Sequence, residues 1–150
     1  MEGWIMRWGM AAAHLLALGI GLGALWMRAR ALRGALDAAG LKRVFAADNL
    51  WGLAALLWVA TGLWRAFGGL EKGTAYYLAS RAFEVKMGLF TAIGLLELWP
   101  MIMLLSWRVR MRQGETPETR PARFFARISE VQVGLLVAMV IAATAMARGR

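Results

Sequence analysis

The sequence predicts an all-α integral membrane protein, a bundle of four transmembrane helices in a single domain that covers residues 1–150. Of the 150 residues, 60% are apolar before the 17 glycines are counted, and only 18% are charged. Soluble domains are about 45–50% apolar with glycine included and about 25% charged. The charged residues also gather between four long apolar runs. Because the bilayer interior holds no water to satisfy peptide groups, spans of this kind should be helices.

The four predicted spans cover about residues 10–27, 46–65, 87–107 and 130–147. The first run is interrupted only by His14 and would cover about 27 Å at about 1.5 Å per residue. The apolar core of a cleaved signal peptide is shorter, about 7–15 residues. Since arginines also follow this run, we expect it to be retained as a transmembrane helix.

The boundaries of the later spans are less regular. The second helix is expected to begin near Leu41, before it enters the bilayer around Ala46. The third span contains the acidic residue Glu97. Residues 122–128 mix arginines with aromatic side chains, so we expect them to lie in the inner membrane interface ahead of the fourth span.

The net charge of +9 is concentrated at the ends of the apolar runs. Eleven of the 18 Lys and Arg residues fall in the connectors after the first and third spans, beginning with Arg28. The positive-inside rule places these connectors in the cytoplasm. Both termini would then lie on the outer, periplasmic side of a bacterial inner (cytoplasmic) membrane, crossed as a multi-pass protein.

The distribution of the basic residues also bears on partners. Basic side chains at the ends of spans suit anionic lipid headgroups, so we expect the lipid bilayer as a partner and no nucleic acid. Other membrane subunits or a homo-oligomer are left open. Small residues four apart in the first span, Ala17 with Gly21 and Gly19 with Gly23, permit close approach of another helix. The functional alternative is that these small residues form a flat surface against which a planar ligand lies.

His14 and Lys86 are the residues best suited to bind a cofactor, because ionisable groups inside spans are costly and indicate functional sites. His14 lies about one turn into the first span and Lys86 opens the third, so both are expected near the outer leaflet. Imidazole can ligate haem iron, and an amine can pair with a propionate. Tyr76 and Tyr77 are expected to cover this cofactor-binding site. The structural alternative is that His14 bonds to a carbonyl of a neighbouring helix while Lys86 extends to the headgroups.

The residue counts exclude several kinds of site. The chain has no cysteine, which excludes disulfides, iron–sulfur clusters and cysteine zinc sites. His14 is the only histidine, which excludes a bis-histidine haem within one chain and a multi-histidine zinc or di-iron site. If the chain binds a metal at all, these counts leave haem iron bound to His14.

Two acidic residues lie in or beside the spans: Asp48 at the inner end of the second span and Glu97 inside the third. Glu97 follows Lys86 by 11 positions, about 16 Å along a helix, which is too far for a direct ion pair. Glu97 must have another partner, as a neutral acid bonded to the next helix or as a proton-handling group in a wet crevice. Asp48 is expected to pair with Arg43 or with an arginine of the third connector.

The stretch from His14 through Arg110 resembles an uncharacterised bacterial family of predicted four-span membrane proteins. The matching features are His14, Asp48, Trp51-Gly52-Leu53-Ala54, Glu71-Lys72-Gly73, Tyr76-Tyr77 and Lys86. This resemblance implies a four-span fold. More distantly, the placing of His14 and Lys86 is similar to that in HemJ-type protoporphyrinogen oxidases, which are four-helix membrane proteins. That similarity implies haem or porphyrin binding by these two residues.

The sequence leaves three alternative functions for the protein. The first is a haem- or porphyrin-associated redox protein, with haem b or another porphyrin bound by His14 and with Lys86 neutralising an acidic group. The second is a non-catalytic accessory subunit of a larger membrane complex, which would need no cofactor. The third is a proton-linked transporter that uses Glu97. These alternatives leave open whether the protein is an enzyme.

Overall fold

The computed structural model describes residues 2–68 and 81–148. Within those ranges the chain forms helices and no strand. The helices are α1 (Glu2–Arg33), α2 (Ala38–Phe67), α3 (Arg81–Arg112) and α4 (Ala122–Arg148). Each of the four is long and apolar enough to cross a membrane. Each predicted span lies inside one of these helices, so the predicted four-span all-α fold is confirmed.

The connector between α1 and α2 is only residues 34–37, and α2 begins three residues earlier than expected. The Asp37 carboxylate caps α2 by accepting a hydrogen bond from the Gly40 backbone N–H at 2.7 Å. A Cβ at position 40 would overlap the Ala35 carbonyl, so this close turn requires glycine. A connector this short makes the two helices antiparallel neighbours.

The connector between α3 and α4 is residues 113–121, and its second residue is Gly114, at φ +78°. This left-handed conformation favours glycine at the end of a helix. Residues 122–128 form the first turns of α4 itself, and Phe125 and Ala126 are fully buried. The segment expected in the inner interface is therefore continuous with the fourth helix, and its apolar side packs into the bundle. We call the end that carries both connectors the connector end.

The helices are not equally close to one another. α1 packs along both α2 and α4, and α3 packs along α4. Between α2 and α3 the contacts are made by long side chains, such as Trp58 with Phe90. Large apolar side chains on the outer faces, such as Leu56 and Ile141, are exposed, as surfaces that contact lipid require.

The small residues of α1 lie on two different faces. A Cβ at Gly21 would lie 3.1 Å from the Trp51 ring, whereas a Cβ at Gly19 or Gly23 would have no neighbour within 4 Å. The predicted close packing is therefore confirmed for Ala17 and Gly21, which face α2, whereas Gly19 and Gly23 have no such neighbour among the described residues.

Two apolar clusters fill the interior at different depths. The cluster nearer the connector end contains Leu32, Leu41, Val44, Leu104, Trp107, Ala122, Phe125, Ala126 and Ile128. The second cluster contains Ala17, Ala24, Leu25, Trp51, Trp58, Ile93, Leu136 and Met139. On every helix, the polar residues Arg28, Asp48, Glu97, Ser129 and Gln132 fall between members of the two clusters.

Candidate functional site

His14 is buried between α1 and α2 and bonds to α2 through one ring nitrogen. Its Nδ1 lies 3.1 Å from the Trp58 carbonyl oxygen and 2.9 Å from Thr61 Oγ1. A Cβ at Gly62 would lie 3.0 Å from the imidazole Cε1. Glycine at position 62 therefore lets the ring approach α2 closely enough to make these bonds.

The bonds at Nδ1 determine which nitrogen carries the proton in the neutral imidazole. A carbonyl oxygen only accepts, so the contact with Trp58 requires an N–H at Nδ1. The Thr61 hydroxyl donates to the Leu57 carbonyl at 2.7 Å, which leaves its oxygen able to accept from His14. The basic lone pair of the neutral ring is therefore on Nε2.

Aromatic rings extend the His14 site toward α3. The Trp58 ring stacks on His14 with centroids 5.7 Å apart and an interplanar angle of 22°. The Trp58 ring also meets the Phe90 ring of α3, with centroids 5.8 Å apart. Trp58 is 6% exposed, and within the described residues its indole N–H has no hydrogen-bond partner. We define the His14 site as His14, Trp58, Thr61 and Phe90. Among the described residues, the indole N–H of Trp58 is a hydrogen-bond donor of this site that has no partner.

The sequence also predicted Lys86, Tyr76 and Tyr77 for this site. Lys86 is half-buried and lies one helical turn before Phe90, on the same face of α3. This face of α3 lies against the Trp58 ring, whose other neighbour is His14. Tyr76 and Tyr77 lie outside the described residues.

A second polar centre surrounds Arg28, whose side chain is 0% exposed. Its Nε donates to Ser129 at 3.0 Å and its NH1 to Asp48 at 2.9 Å. The two terminal nitrogens also form a bidentate pair with Glu97, at 2.7 and 2.8 Å. NH2 donates further to Gln132 at 3.0 Å. A guanidinium has five N–H donors, and all five are used here.

The remaining bonds of this centre join the same carboxylates to other groups. Arg108 NH2 donates to the second oxygen of Asp48 at 2.8 Å, and NH1 donates to Asn49 at 2.8 Å. The Gln132 amide donates to Glu97 at 2.8 Å. We define the Arg28 cluster as Arg28, Asp48, Asn49, Glu97, Arg108, Ser129 and Gln132. Its two arginines and two carboxylates balance in charge, and its members come from all four helices.

Such a cluster is costly to bury unless it is fully bonded. Removing ions from water costs several kcal/mol each (an order of magnitude), which only close pairing and complete hydrogen bonding offset. The apolar clusters on both sides of the Arg28 cluster pack the helices together above and below it. The geometry therefore satisfies Arg28 completely and fixes which faces of the helices meet.

The match of the chain to known families agrees with this architecture. The model of a family described as "Predicted membrane protein (DUF2214)" matches residues 6–150. The chain belongs to this family. As a DUF2214 protein with four membrane-type helices, it is a multi-pass membrane protein. No curated protein and no solved structure matches the chain.

Membership in DUF2214 gives an architecture rather than a reaction, so the chemistry depends on the two polar centres. Within residues 2–68 and 81–148, no group of three or more His, Cys, Asp or Glu residues is placed to hold a metal ion.

The Arg28 cluster corrects the interpretation of several residues. Glu97 does need a partner other than Lys86, and that partner is Arg28. The prediction that Asp48 pairs with one of the arginines assigned to the third connector is confirmed by Arg108, although Arg108 lies in α3; Arg43 is not its partner in the described contacts. Arg28 itself was assigned to the first connector, which is wrong because α1 continues to Arg33.

The spacing of small residues in α1 indicates that Arg28 faces the interior of the bundle. Ala17, Gly21 and Ala24 form the packed face of α1, at intervals of four and three residues. Arg28 follows Ala24 by four positions and so continues the same face. A buried arginine on this face is the partner that Glu97 requires.

Proposed function

We propose that the protein is a haem- or porphyrin-associated redox protein of the bacterial inner membrane, with His14 as the axial ligand. The hydrogen bond from His14 Nδ1 to the Trp58 carbonyl carries this proposal. In metal-binding histidines, one ring nitrogen is fixed by a carbonyl or carboxylate while the other ligates the metal. His14 has this arrangement, with the basic lone pair on Nε2.

Two further residues fit an acidic planar ligand. The indole N–H of Trp58, which has no hydrogen-bond partner among the described residues, can donate to an acceptor of the ligand. Lys86, one turn from Phe90, can neutralise a carboxylate such as a propionate. A bound iron porphyrin would supply one-electron chemistry. The protein's own residues would ligate, orient and neutralise it, while the surrounding aromatic rings exclude water.

A visible spectrum tests the proposal. The full-length protein would be purified in mild detergent, and haem would be added stepwise while the Soret region is recorded. We expect a saturable Soret shift for the wild type, complete loss of it in His14→Ala, and weaker binding in Lys86→Met. Arg30→Met, which removes an exposed arginine of the same helix as His14, serves as the control and should bind as the wild type does.

Two results would overturn the proposal. One is a wild-type protein that is folded and colourless and gives no saturable shift. The other is an unchanged spectrum in His14→Ala. A colourless protein that co-purifies with a stoichiometric membrane partner would instead favour the accessory-subunit function.

A further inference from the structure

A cavity of about 270 Å³ lies between α2 and α3 at the connector end. It is lined by Phe45 of α2 and by Arg108, Met111 and Arg112 of α3. Two guanidinium groups therefore share one small space with two apolar side chains. We call this space the Arg108 cavity.

Arg108 keeps two hydrogen-bond donors unused. Its NH2 donates to Asp48 and to the Phe45 carbonyl, and its NH1 donates to Asn49. Among the described residues, its Nε is buried and has no partner, and one hydrogen of NH1 has none either. Because buried donors are normally paired, an acceptor other than these residues is expected. Arg108 thus differs from Arg28, all of whose donors are used.

The guanidinium of Arg108 is already held in position. Its central carbon lies 4.7 Å from the centroid of the Phe45 ring, and its NH2 is 2.8 Å from the Asp48 carboxylate. A side chain that is ordered before its ligand arrives loses less conformational entropy when the ligand binds. The Arg108 cavity is therefore preorganised for an acceptor.

Cations outnumber anions around the Arg108 cavity. The Arg28 cluster, which includes Arg108, is balanced in charge. Arg112 follows Arg108 by four residues and so lies on the same side of α3. Lys42 precedes Phe45 by three residues and so lies on the same side of α2. Both residues are exposed, and neither forms an ion pair with a described residue. The site thus carries two positive charges that the described residues do not neutralise.

Unused arginine donors and net positive charge suit a phosphate group. Arginine binds phosphate oxygens through charge-assisted hydrogen bonds, which are about twice as strong as hydrogen bonds between neutral groups. Its planar fork of donors also matches the geometry of phosphate. The chemistry of the Arg108 cavity therefore points to a phosphate ester or a phosphate ion.

The surface beside the cavity favours a phospholipid over a soluble phosphate. Leu105 and Met101 precede Arg108 by three and seven residues, so they lie on the same side of α3. Both are large, apolar and exposed, and they continue away from the connector end. Acyl chains can run along these side chains while the phosphate occupies the cavity. A free phosphate ion would gain nothing from this apolar surface.

A second cavity at the connector end has a different charge. It lies on the outer face of α3, with a volume of about 540 Å³, and its charged lining residues are Arg110 and Glu115. The cation there is matched by an anion, although the space is larger. Net positive charge therefore distinguishes the Arg108 cavity, and Arg110 provides a matched control for Arg112.

We propose that the Arg108 cavity binds the phosphate group of an anionic phospholipid, whose acyl chains lie along α3. The unused donors of Arg108 and the unneutralised charges of Arg112 and Lys42 carry this inference. It does not rest on the proposed role of His14, and either proposal can fail without the other.

Native mass spectrometry of the full-length protein in detergent tests the site, because it counts bound lipids. Phosphatidylglycerol, which is anionic, and phosphatidylcholine, which is neutral overall, would be added stepwise with identical acyl chains. We expect the first phosphatidylglycerol to bind about tenfold more tightly than the first phosphatidylcholine. Equal affinities would overturn the preference for an anionic lipid.

A large excess of ammonium phosphate separates the two sources of phosphate. We expect the bound phosphatidylglycerol to remain, because the acyl chains contribute to its affinity. Displacement of the lipid by inorganic phosphate would overturn the assignment to a phospholipid.

Arg112→Gln should weaken the binding of the first phosphatidylglycerol about tenfold. Arg112 is exposed and lies outside the Arg28 cluster, so the bundle should remain intact, as circular dichroism would verify. Arg110→Gln removes the same charge two residues away and should bind as the wild type does. Equal weakening in both variants would show attraction to total charge alone and would overturn the site.

Met111→Trp tests the cavity itself, because it fills the space and keeps every charge. It should also weaken the binding of the first phosphatidylglycerol, and unchanged binding in the folded variant would contradict the proposal. Should Met111→Trp fail to fold, the comparison of Arg112→Gln with Arg110→Gln still decides the matter.

Discussion

The His14 site and the Arg28 cluster solve the same problem, a polar group inside a membrane bundle, in different ways. His14 is held by hydrogen bonds to the Trp58 carbonyl and the Thr61 hydroxyl of one neighbouring helix, and the Trp58 ring stacks on it. Arg28 is ionic and receives partners from all three other helices. One site therefore holds a single side chain in place, whereas the other joins the whole bundle.

This difference separates chemistry from stability. A neutral imidazole bonded through one nitrogen keeps the other nitrogen basic, which suits a ligand site. An arginine with every donor used has no capacity left for a further acceptor. We therefore assign ligand binding, as proposed above, to the His14 site and helix association to Arg28.

The largest effect is expected for Arg28→Met. This change removes the cation that pairs with Glu97, while Asp48 keeps Arg108. Breaking a buried pair on one side costs about 3–5 kcal/mol. The free energy of unfolding in detergent micelles would measure the loss. Arg30→Met, two residues away and exposed, is the control, and an equal loss in both variants would contradict the special position of Arg28.

A smaller effect is expected for Thr61→Val in the His14 site. The variant keeps the shape of the side chain and removes the hydroxyl that accepts from His14. Loss of this one buried hydrogen bond should cost about 1–2 kcal/mol of unfolding free energy, less than the loss in Arg28→Met. Thr61→Ser, which keeps the hydroxyl, should lose less than Thr61→Val. A loss from Thr61→Val as large as that from Arg28→Met would remove the distinction between the two sites.

The protonation state of His14 can be read directly. Because it is the only histidine, the imidazole nitrogen signals in a ¹⁵N NMR spectrum need no assignment. In the neutral form without added ligand we expect a protonated Nδ1 and an unprotonated Nε2. The opposite tautomer would contradict the bond to the Trp58 carbonyl and weaken the case for His14 as a ligand.

The smallest effect is expected for Arg33→Ala, which removes an ion pair outside both sites. Arg33 and Glu130 lie 2.8 Å apart, with side chains 43% and 37% exposed. Solvent-exposed pairs contribute little because water screens the charges and two long side chains must be ordered. We expect no measurable change in the unfolding transition. A change comparable to that of Thr61→Val would show that ion-pair position matters less than proposed.

The sequence predicts the four helices because apolar length is a local property that survives without tertiary information. It also singles out His14 and the need of Glu97 for a partner. It does not predict Arg28 as that partner, since an arginine just after an apolar run resembles a topology signal. Only the spacing from Ala17 through Ala24 indicates that Arg28 faces inward, and the bond with Glu97 depends on how α1 and α3 are arranged around α4.

A double-mutant cycle on Arg28 and Glu97 tests the central claim most directly. Arg28→Met leaves the carboxylate of Glu97 unpaired, whereas adding Glu97→Gln restores a neutral cluster in which Asp48 and Arg108 remain paired. The account predicts that the double variant has a higher free energy of unfolding than Arg28→Met alone. The interaction energy between Arg28 and Glu97 should be about 2–3 kcal/mol. Losses that simply add would contradict it.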